Sequence, residues 1–512
     1  MGRLLKLGDL GNSEKQERKR KTYQENGMVK KIRWCIMPGI VFLAISLVTV
    51  SAFSGGLALS GVGAKALSMG GAFRGLADDW SAAYWNPAGL AQIDKSELSL
   101  SLSILSPRPE YKPNITYDGY DVGYKNGATR YPNDKDYLVP NASGFFQFPR
   151  FGGLTAGIAV FVPYALGSEW DLFNPIYGDV VDSFPGMDHK ATLQAVDIHP
   201  SIARAFMEGK LLAGFGVSFM NGTIDYRKTI LSATPFPRPH DNVAVDGLIH
   251  GEGWGYGANF GIIYKYSDKL QLGVSGKTPT TISFEDGSLK SALYGINNSP
   301  LKEELLSYTS SRAETLSIAF LFPDNNQVTR WENNAYGKLK LPADIGLGAA
   351  YDVNEKLKLT CDLSYTLWSR LDSIVIHVKG QQSPIDPSPA KDVVVRTKYH
   401  NTLRLSIGGQ YKYSDPLTFR AGFYYDPSPI PDSSMTPLIA DIGTKISGNI
   451  GVSYKLRGGW EAFYTLEFVK FGSRNITEHA TTETSSGITS DNYPGSYKEY
   501  FVANFISFAY RF

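Results

Sequence analysis

From about Ser96 onward, apolar and polar residues alternate along most of the chain. In "ELSLSLSI" every second side chain is apolar and the intervening side chains are serines. Successive side chains of a strand point to opposite faces, so this period gives one apolar and one polar face. The same period recurs in "KLKLTCDLSYTLW", "TLRLSIGGQYKY" and "PLTFRAGFYYD". The pattern predicts an all-β protein.

The length of the alternating runs favours membrane-crossing strands. A tilted strand needs about 9–11 residues to cross a bilayer, whereas strands of soluble sandwiches are usually about 5–6 residues long. The runs here are mostly of the longer kind. We predict about fourteen strands, an even number typical of outer-membrane barrels. They fall near 97–104, 144–149, 153–164, 193–206, 210–222, 252–266, 269–284, 337–351, 355–369, 398–413, 416–426, 444–455, 460–472 and 498–512.

The connections between these runs alternate in length. Tight turns such as "RFGG", "MEGK", "YSDK", "DVNEK", "YSDP" and "KLRGG" follow every second strand. Between them lie long polar stretches at 105–143, 165–192, 223–251, 285–336, 370–397, 427–443 and 473–497. Short turns at one end and long loops at the other are typical of an outer-membrane barrel. We therefore predict a transmembrane antiparallel β-barrel over 96–512, in the cell outer membrane of a Gram-negative bacterium.

The last strand adds a partner. "ANFISFAYRF" places Ile506, Phe508, Tyr510 and Phe512 on one face, which we predict to point outward. A final strand that ends in Phe resembles the recognition signal for outer-membrane insertion, so Phe512 is expected to be read by the barrel-assembly machinery.

The N-terminal part divides into three segments. Residues 1–27 are charged and lack an apolar period. We expect either a disordered leader or a start codon assigned too early. Residues 28–52 combine basic residues, a short apolar run and small residues before Ala52, which predicts a secretory signal peptide. A transmembrane helix is the alternative, although the run is short and contains Pro38-Gly39.

Residues 53–95 are rich in glycine and do not alternate. They are too apolar for a solvated tail and too few for a core of their own. We predict that they fold into the lumen as a hatch or plug. Asn86-Pro87 is expected to make a turn, with Asn86 bonded to a strand backbone. Asp78 and Asp79 are expected to meet lumen Arg or Lys.

Composition limits the chemistry. The formal net charge is +2 over 512 residues, so no nucleic-acid surface is indicated. The two cysteines lie far apart, and the seven histidines show no metal-ligand spacing. GxSxG, P-loop and GxGxxG motifs are missing from the sequence. We predict no enzyme, metal or cofactor. A barrel with a convergent Ser, His and acid stays an alternative.

The segment Ala77-Asp78-Asp79, followed by Asn86-Pro87-Ala88 just after a secretion signal, resembles the long-chain fatty acid transporter family of outer-membrane barrels. Further similarity lies in "GWGYGANFGIIYKYSDKLQLGVSGKTP", "LPADIGLGAAYDVNEKLKLTCDLSYTLWS" and "LTFRAGFYYDPSPIPD". The resemblance implies a monomeric fourteen-stranded barrel with an N-terminal hatch. It also implies capture of a hydrophobic molecule, most often a long-chain fatty acid, and its lateral release into membrane lipid. An aromatic-hydrocarbon channel of the same family and a general polar-solute porin are the alternatives.

The third strand is the expected exit. Pro163 cannot donate to the strand ladder, so the wall is expected to bulge there and to leave a gap towards the bilayer. The resemblance implies a kinked third strand facing the hatch. We therefore pair Asn86 with the region from Pro163 to Gly167. Alternatively, Pro163 merely ends the strand.

Ligand capture is expected in the loops and the lumen. Phe236, Leu305 and Leu306 are candidates for an apolar landing site; alternatively, they pack loop against loop. Arg404 and Arg420 face inward by parity, and Arg227 is placed at the lip of a long loop. Each is a candidate for a carboxylate head group. Alternatively, they pair with lumen acids such as Glu461, Glu467 or Asp426.

Overall fold

The computed structural model describes residues 58–117, 119–133, 135–177, 184–234, 236–323, 327–439, 441–484 and 487–512. The predicted leader (1–27) and signal peptide (28–52) lie outside the described residues, as do residues 53–57 of the predicted plug. No helix in the described part of the chain is long and apolar enough to span a bilayer.

The strands are numbered in chain order, and their bounds are as follows. They are β1 (Glu97–Pro113), β2 (Tyr137–Phe148), β3 (Leu154–Trp170), β4 (His189–Phe206), β5 (Leu211–Ala233), β6 (Asn242–Lys265), β7 (Leu270–Lys277), β8 (Thr280–Tyr294), β9 (Thr329–Leu341), β10 (Asp344–Asp352), β11 (Leu357–Thr366), β12 (Ser373–Lys379), β13 (Val393–Arg396), β14 (Thr402–Lys412), β15 (Leu417–Asp426), β16 (Lys445–Lys455), β17 (Trp460–Phe471), β18 (Arg474–Ile476), β19 (Thr481–Thr484), β20 (Gly487–Ser490) and β21 (Gly495–Arg511).

These strands build one closed antiparallel barrel, with 14 positions in the wall of the described chain. Strands β7 and β8 share one position, as do β9 and β10, β11 and β12, and β13 and β14, while β18 continues β17. Strand β1 closes the barrel against β21, from Glu97 opposite Arg511 to Pro113 opposite Gly495. The hairpin of β19 and β20 forms a separate two-stranded sheet. The predicted strand number and fold class are confirmed.

The alternating apolar and polar residues of the sequence lie on the outer and inner faces of the barrel, respectively. Leu100 and Phe508 are exposed on the outer face, while Ser101 and Ser507 are buried and hydrogen-bonded to each other at 2.7 Å inside. Dozens of large apolar side chains are exposed in the same way around the wall. A surface of this kind would be unstable in water and matches a hydrocarbon environment.

The two ends of the barrel differ as predicted, but several strands are longer than predicted. Six connections at one end are tight turns, three of them short 3₁₀ helices at Pro149–Phe151, Met207–Gly209 and Arg457–Gly459. At the other end, the predicted loop 223–251 shrinks to 234–241 because β5 and β6 continue through most of it. The predicted loops 105–143, 285–336 and 370–397 are shortened in the same way. Hydrophobic alternation ends where lipid ends, whereas the backbone ladder continues into water.

The helices are short and lie in the N-terminal segment and in one long loop. They are α1 (Ala64–Ser68), α2 (Ala82–Trp85), α3 (Ser299–Ser307) and α4 (Arg312–Leu321), with further 3₁₀ turns at Pro87–Gln92, Trp368–Arg370 and Asp432–Ser434. Ser311 and Glu314 cap α4 reciprocally. Backbone amides of Ser310 and Ser311 donate to the carboxylate and hold the pKa of Glu314 below its usual value.

Residues 58–95, here called the plug, are almost entirely buried against the inner wall. Three pairs of glycines, each pair directly opposite across two neighbouring strands, receive the plug backbone. They are Gly214 with Gly261, Gly273 with Gly348, and Gly408 with Gly422. A Cβ at any of the six would overlap plug atoms or, at Gly348, also the Asp362 carboxylate. The lack of a side chain at these six positions therefore leaves room for the backbone of the plug, and we call these positions its seat.

We expect Gly422→Ala to unseat the plug, because the new methyl group would overlap the backbone of Met69 and Gly70. Overpacking of this kind costs about 1–3 kcal/mol. More frequent channel openings in planar bilayers would report it. Gly448→Ala on β16 is the matched control, because nothing lies within 4 Å of its Cβ position. Equal opening frequencies in the two variants would contradict the proposed seat.

Candidate functional site

The wall has a gap between β2 and β3. The ladder joining these strands runs from Phe148 opposite Leu154 to Ala142 opposite Val160 and then stops. Beyond that point β3 continues to pair with β4 alone, after a bulge in which Val162 and Pro163 interrupt the register. The bulge predicted at Pro163 is therefore present. Proline lacks the N–H that a continuous ladder would require.

The gap is bounded towards the long-loop end. The hydroxyl of Tyr137 on β2 donates to the carbonyl of Gly167 on β3 at 3.1 Å. Further out, the backbone N–H of Asn133 donates to the carbonyl of Glu169 at 3.0 Å. The opening thus begins at Val160 and ends, towards the long loops, at Gly167.

The first described residues of the plug pair with the edge of β3 from which β2 has separated. The N–H of Leu59 donates to the carbonyl of Pro163 at 3.0 Å, and Ala58 forms an antiparallel bridge with Tyr164. A small cavity lies here. We call it the gap cavity; its lining includes Leu59, Ser60 and Val162. The plug therefore meets the wall at the point where the wall is incomplete.

A second cavity lies on the other side of the bulge, between the plug and the wall. It is small, and Pro163, Tyr164 and Met220 contribute to its lining. Lys277 also lines it, with the ammonium 3.1 Å from the centre of the Tyr84 ring. Among the described residues no carboxylate lies within ion-pair distance of that ammonium. We call this space the lysine cavity.

A buried network supports the far wall of the lysine cavity. His199 lies 3.1 Å from Asp197 through Nδ1 and 3.1 Å from the Asn259 side-chain oxygen through Nε2. The Asn259 amide then donates to the carbonyl of Ala83 in the plug at 2.6 Å. Ser218 donates to Asp197 at 2.9 Å. Asp197 uses Oδ2 in this network and its Oδ1 has no hydrogen-bond partner among the described residues, so the cavity holds one partly engaged acid beside Lys277.

Arg74 is the main polar anchor of the plug. Its side chain is 3% exposed, forms an ion pair with Asp344 and donates to Ser275 at 2.5 Å. The carboxylate of Asp362 accepts the backbone N–H groups of Phe73 and Arg74 at 2.8 and 2.7 Å. Two carboxylates of the wall thus hold this part of the plug, Asp344 at the guanidinium and Asp362 at the backbone.

The predicted partners of Asp78 and Asp79 were wrong. Asp78 pairs at 2.8 Å with Lys65, which belongs to the plug itself. Asp79 accepts the backbone N–H and the hydroxyl of Ser81 at 2.9 and 2.6 Å, so it fixes the turn that precedes helix α2. These acids fold the plug locally, because a short carboxylate side chain finds nearby donors before it reaches the wall.

Asn86 forms its strand contact away from the predicted gate partner. It is completely buried, and its amide donates to the carbonyls of Arg74 at 2.8 Å and Ile262 at 3.3 Å. The predicted bond to a strand backbone is confirmed, but the strand is β6 and not the region Pro163–Gly167. The glycine pair Gly214 and Gly261 leaves the space for this contact.

Pro87 and Ala88 complete the same contact. The backbone N–H of Ala88 donates to the Asn86 side-chain oxygen at 3.2 Å, and Pro87 begins the 3₁₀ turn. Proline is favoured at the first position of such a turn because its N–H would have no partner there. The predicted turn at Asn86-Pro87 is present.

Arg404 and Arg420 face inward as predicted, and both guanidinium groups have partners. Arg404 donates to the plug carbonyls of Ser60 at 2.9 Å and Gly70 at 3.2 Å. Arg420 donates to Gln410 and Ser453 at 3.3 and 3.0 Å. The expected acid Glu461 pairs instead with Arg511, at 2.8 Å. Arg404 thus fastens the plug, whereas Arg420 braces the wall.

Arg227 is not at the lip of a loop, because β5 extends past it. It forms a two-pronged ion pair with Asp246 on β6, with both N–O distances 2.8 Å, and also donates to the carbonyl of Met187. The expected loop position was wrong because the strand continues beyond the end of hydrophobic alternation.

The apolar loop candidates pack against each other. Phe236, Leu305 and Leu306 lie partly buried against one cluster of buried residues, and Phe236 contacts Phe322 with ring centres 5.9 Å apart. The alternative of loop-against-loop packing therefore describes them, and the predicted exposure of Phe236 was wrong. The members of the cluster are Tyr177, Val243, Leu293, Ile296, Ile318 and Phe322.

Sequence analysis did not identify three residues of the candidate site. Arg74 is a lone cation in the otherwise apolar stretch "GGAFRGLA", which is a usable signal of a buried partner. Lys277 precedes Pro279 at the break between β7 and β8. His199 lies in an alternating strand, and nothing local indicates its network.

Comparisons with known proteins agree on one family. A family model described as outer membrane protein transport protein (OMPP1/FadL/TodX) matches residues 45–512. A long-chain fatty acid transport protein of Escherichia coli O6:H1 is 23% identical over 419 residues, covering 78% of this chain and 83% of that protein.

Solved structures show the same fold. A Pseudomonas aeruginosa FadL homologue superposes with a TM-score of 0.67 at 18% identity, covering 89% of this chain and all of the other. The P. putida toluene transporter TodX gives a TM-score of 0.63 at 17% identity, covering 89% and 99% of the two chains.

We expect Arg74→Met to loosen the plug. The substitution keeps an unbranched apolar stem but leaves the mostly buried carboxylate of Asp344 without its cation, which costs about 3–5 kcal/mol. Hydrogen–deuterium exchange of amides in 64–93 should become faster, while amides of β17 keep their protection. Arg108→Met is the control, because its partner Asp136 is half-exposed and 3.5 Å away. Unchanged protection of the plug in Arg74→Met would contradict the anchor role.

Proposed function

The chain belongs to the family of outer membrane transport proteins that includes FadL and TodX, and from that membership we propose that it takes up long-chain fatty acids and releases them sideways into the membrane. It is a channel for hydrophobic compounds and not an enzyme. One observation carries the finer proposal. The wall is open between β2 and β3 at the place where two cavities and the start of the plug meet.

The bulge lies between the two cavities. Pro163 contributes to the lysine cavity and Val162 to the gap cavity. Among the described residues of the plug, Ala58 to Gly61 lie along the gap cavity and the adjoining edge of β3. A ligand in the lysine cavity would therefore reach the gap cavity, and then the outer surface, when this short segment moves.

The lining of the lysine cavity suits the acidic head of an apolar chain, and the chain itself would need the space that movement of the plug opens. Phe161, Tyr164 and Met220 provide apolar surface, and burial of each methylene contributes about 0.8 kcal/mol. Lys277 provides a cation to which no described carboxylate is paired. A fatty acid carboxylate would supply that missing partner, with a charge-assisted hydrogen bond. This charge favours an acid over a plain hydrocarbon as the ligand.

Movement of the plug start is the proposed gate. The contacts that fix this start to β3 are the Leu59 N–H bond to Pro163 and the bridge between Ala58 and Tyr164. The central plug, by contrast, is fixed by glycine seats and by Arg74. Displacement of the start alone would open the gap and leave the lumen blocked. A polar-solute porin has no use for this arrangement.

Locking the start of the plug to β3 is expected to stop uptake. Ala58 and Tyr164 are antiparallel partners, a spacing that a disulfide can bridge. In a Cys361→Ser background, Ala58→Cys with Tyr164→Cys should transport labelled oleate when reduced and lose transport when oxidised. The same protein is compared in both states, so effects of the substitutions themselves cancel.

The matched control locks two wall strands that the proposal leaves fixed. Ser101→Cys with Ser507→Cys places a disulfide between β1 and β21, where the hydroxyl oxygens of the two serines are 2.7 Å apart. Oxidation should leave its transport unchanged. Full transport by the oxidised gate protein would refute the gate, and loss of transport in the control would show that oxidation itself is harmful.

Removing the charge of Lys277 is expected to weaken acid binding selectively. Loss of a hydrogen bond to a charged group costs about 1.5–3 kcal/mol, so Lys277→Met should bind palmitate roughly ten- to a hundredfold more weakly. Affinity for hexadecanol, which has no charge, should change little. Lys290→Met on an exposed part of β8 is the control. Equal losses for the acid and the alcohol would favour an uncharged ligand, such as an aromatic hydrocarbon.

A further inference from the structure

The outer face of β1, β17 and β21 changes from apolar to basic at one level of the wall. Between Tyr510 and Tyr500 the outward side chains of β21 are mostly apolar. Lys498 is the next outward residue of β21 towards the long loops, and it is exposed. On β1, Arg108 lies directly opposite Tyr500 in the ladder. Basic residues therefore begin where the apolar surface ends.

The spacing of the two tyrosines places this change at the border of the membrane. Tyr510 contacts Trp460 with ring centres 4.9 Å apart, and Tyr500 stacks on Phe468 at 6.3 Å, so an aromatic pair marks each level. A strand segment of about ten residues, tilted by about 40°, rises roughly 25 Å, which is the height of the apolar band of an outer-membrane barrel. The residues just beyond Tyr500 therefore lie at the depth of lipid head groups.

Four cations lie together at this depth. The strand register places Lys498 diagonally from Lys470 on β17. On β1, Lys498 lies diagonally from both Arg108 and Lys112. Diagonal partners on neighbouring antiparallel strands have Cα atoms about 7–8 Å apart, so Lys498 is surrounded by three cations at this spacing. We call Arg108, Lys112, Lys470 and Lys498 the basic patch.

Little negative charge offsets the basic patch. Glu110, directly opposite Lys498, is the one acid that the described chain places on the outer face of these three strands at or above the level of Tyr500. Among the described residues, no carboxylate lies within 4.0 Å of the ammonium nitrogens of Lys112, Lys470 and Lys498. Like charges that face each other across strands are unfavourable unless an anion joins them.

The outer face of β3 to β5 at the long-loop end is different. Lys190 lies 3.6 Å from Glu169 and 3.8 Å from Asp225, and Lys135 lies 2.8 Å from Glu169. These cations already have carboxylate partners in the protein. The basic patch therefore differs from this part of the rim in keeping its lysines available to an external anion.

We propose that the basic patch binds a lipid that carries phosphate groups, with the phosphates at Arg108, Lys470 and Lys498 and the acyl chains along the apolar face below Tyr500. Phosphate oxygens accept charge-assisted hydrogen bonds from Lys and Arg. The apolar face continues down the same strands, so a lipid uses both surfaces, whereas a free phosphate or an acidic protein segment uses only the charges. The plug, the gap and Lys277 do not enter this proposal.

Two lipids with the same acyl chains test the patch on the purified, folded protein in detergent. Lipid A with two phosphate groups and its monophosphorylated form differ by one phosphate. Microscale thermophoresis should show that the wild type binds the bisphosphorylated form at least about fivefold more tightly, the effect of about one further pair of charges. Equal affinity for the two lipids would overturn the proposal without any variant.

A double substitution locates the binding. Lys470→Gln with Lys498→Gln should weaken binding of bisphosphorylated lipid A about thirtyfold, because each lysine near an anionic lipid contributes a factor of about five. Lys269→Gln with Lys356→Gln is the matched control, since it removes the same charge from two exposed lysines at the tight-turn end and should bind like the wild type.

Three outcomes would reject the site. They are wild-type affinity in the Lys470 and Lys498 variant, an equal loss in the control variant, and displacement of lipid A from the wild type by excess inorganic phosphate, which would assign the patch to a free anion. Fatty acid uptake does not enter these measurements, so their failure would leave the proposed uptake route untouched.

Discussion

The structure depends on close contact between the backbone of the plug and the backbone of the barrel wall. Side chains normally fill the lumen of a barrel and keep any inserted segment away from the wall. Here three cross-strand glycine pairs remove those side chains at β5 and β6, at β7 and β10, and at β14 and β15. These pairs seat the plug against the strands from β5 to β15, and the first described residues of the plug pair with β3 beside the gap between β2 and β3.

Charge strengthens the same asymmetry. Arg74 enters the wall between Asp344 and Asp362, and Arg404 reaches from the wall to carbonyls of the plug. The acids that the sequence placed in this role, Asp78 and Asp79, are used within the plug. The plug is thus a small folded unit with its own internal bonds. A unit of this kind can release one end without unfolding as a whole.

The extent of successful prediction follows from the range of the interactions. Strand number, face and turn positions depend on local alternation, and residues such as Leu100, Ser101 and Phe508 lie as their period predicts. Pro163 was also informative, because a missing N–H has the same consequence in any strand. The partner of Asn86 was not predictable. It depends on where two glycines about fifty residues apart, Gly214 and Gly261, become neighbours in the ladder.

Loop positions failed for a related reason. The contrast between apolar and polar residues reports contact with lipid, whereas a strand persists as long as its backbone is paired. Arg227 and Asp246 lie in that persistent part of β5 and β6, where sequence alone suggests a loop. Only knowledge of the strand pairing would have shown that Arg227 forms an ion pair with Asp246 instead of contacting a ligand.

A sideways exit is the direction that costs least for an apolar ligand. Passage down the axis into water would return each methylene to solvent at about 0.8 kcal/mol, which for a long chain exceeds any single contact in the lumen. Passage through the gap keeps the chain in apolar surroundings, because Leu138 on β2 and Leu102 on β1 line the outer surface beside it. On the proposed route the head group alone would have to leave its partner, and at the lysine cavity that partner would be a single ammonium. The proposed route would thus separate apolar contacts with the chain, which membrane lipid can replace without loss, from one charge contact that would set the barrier to release.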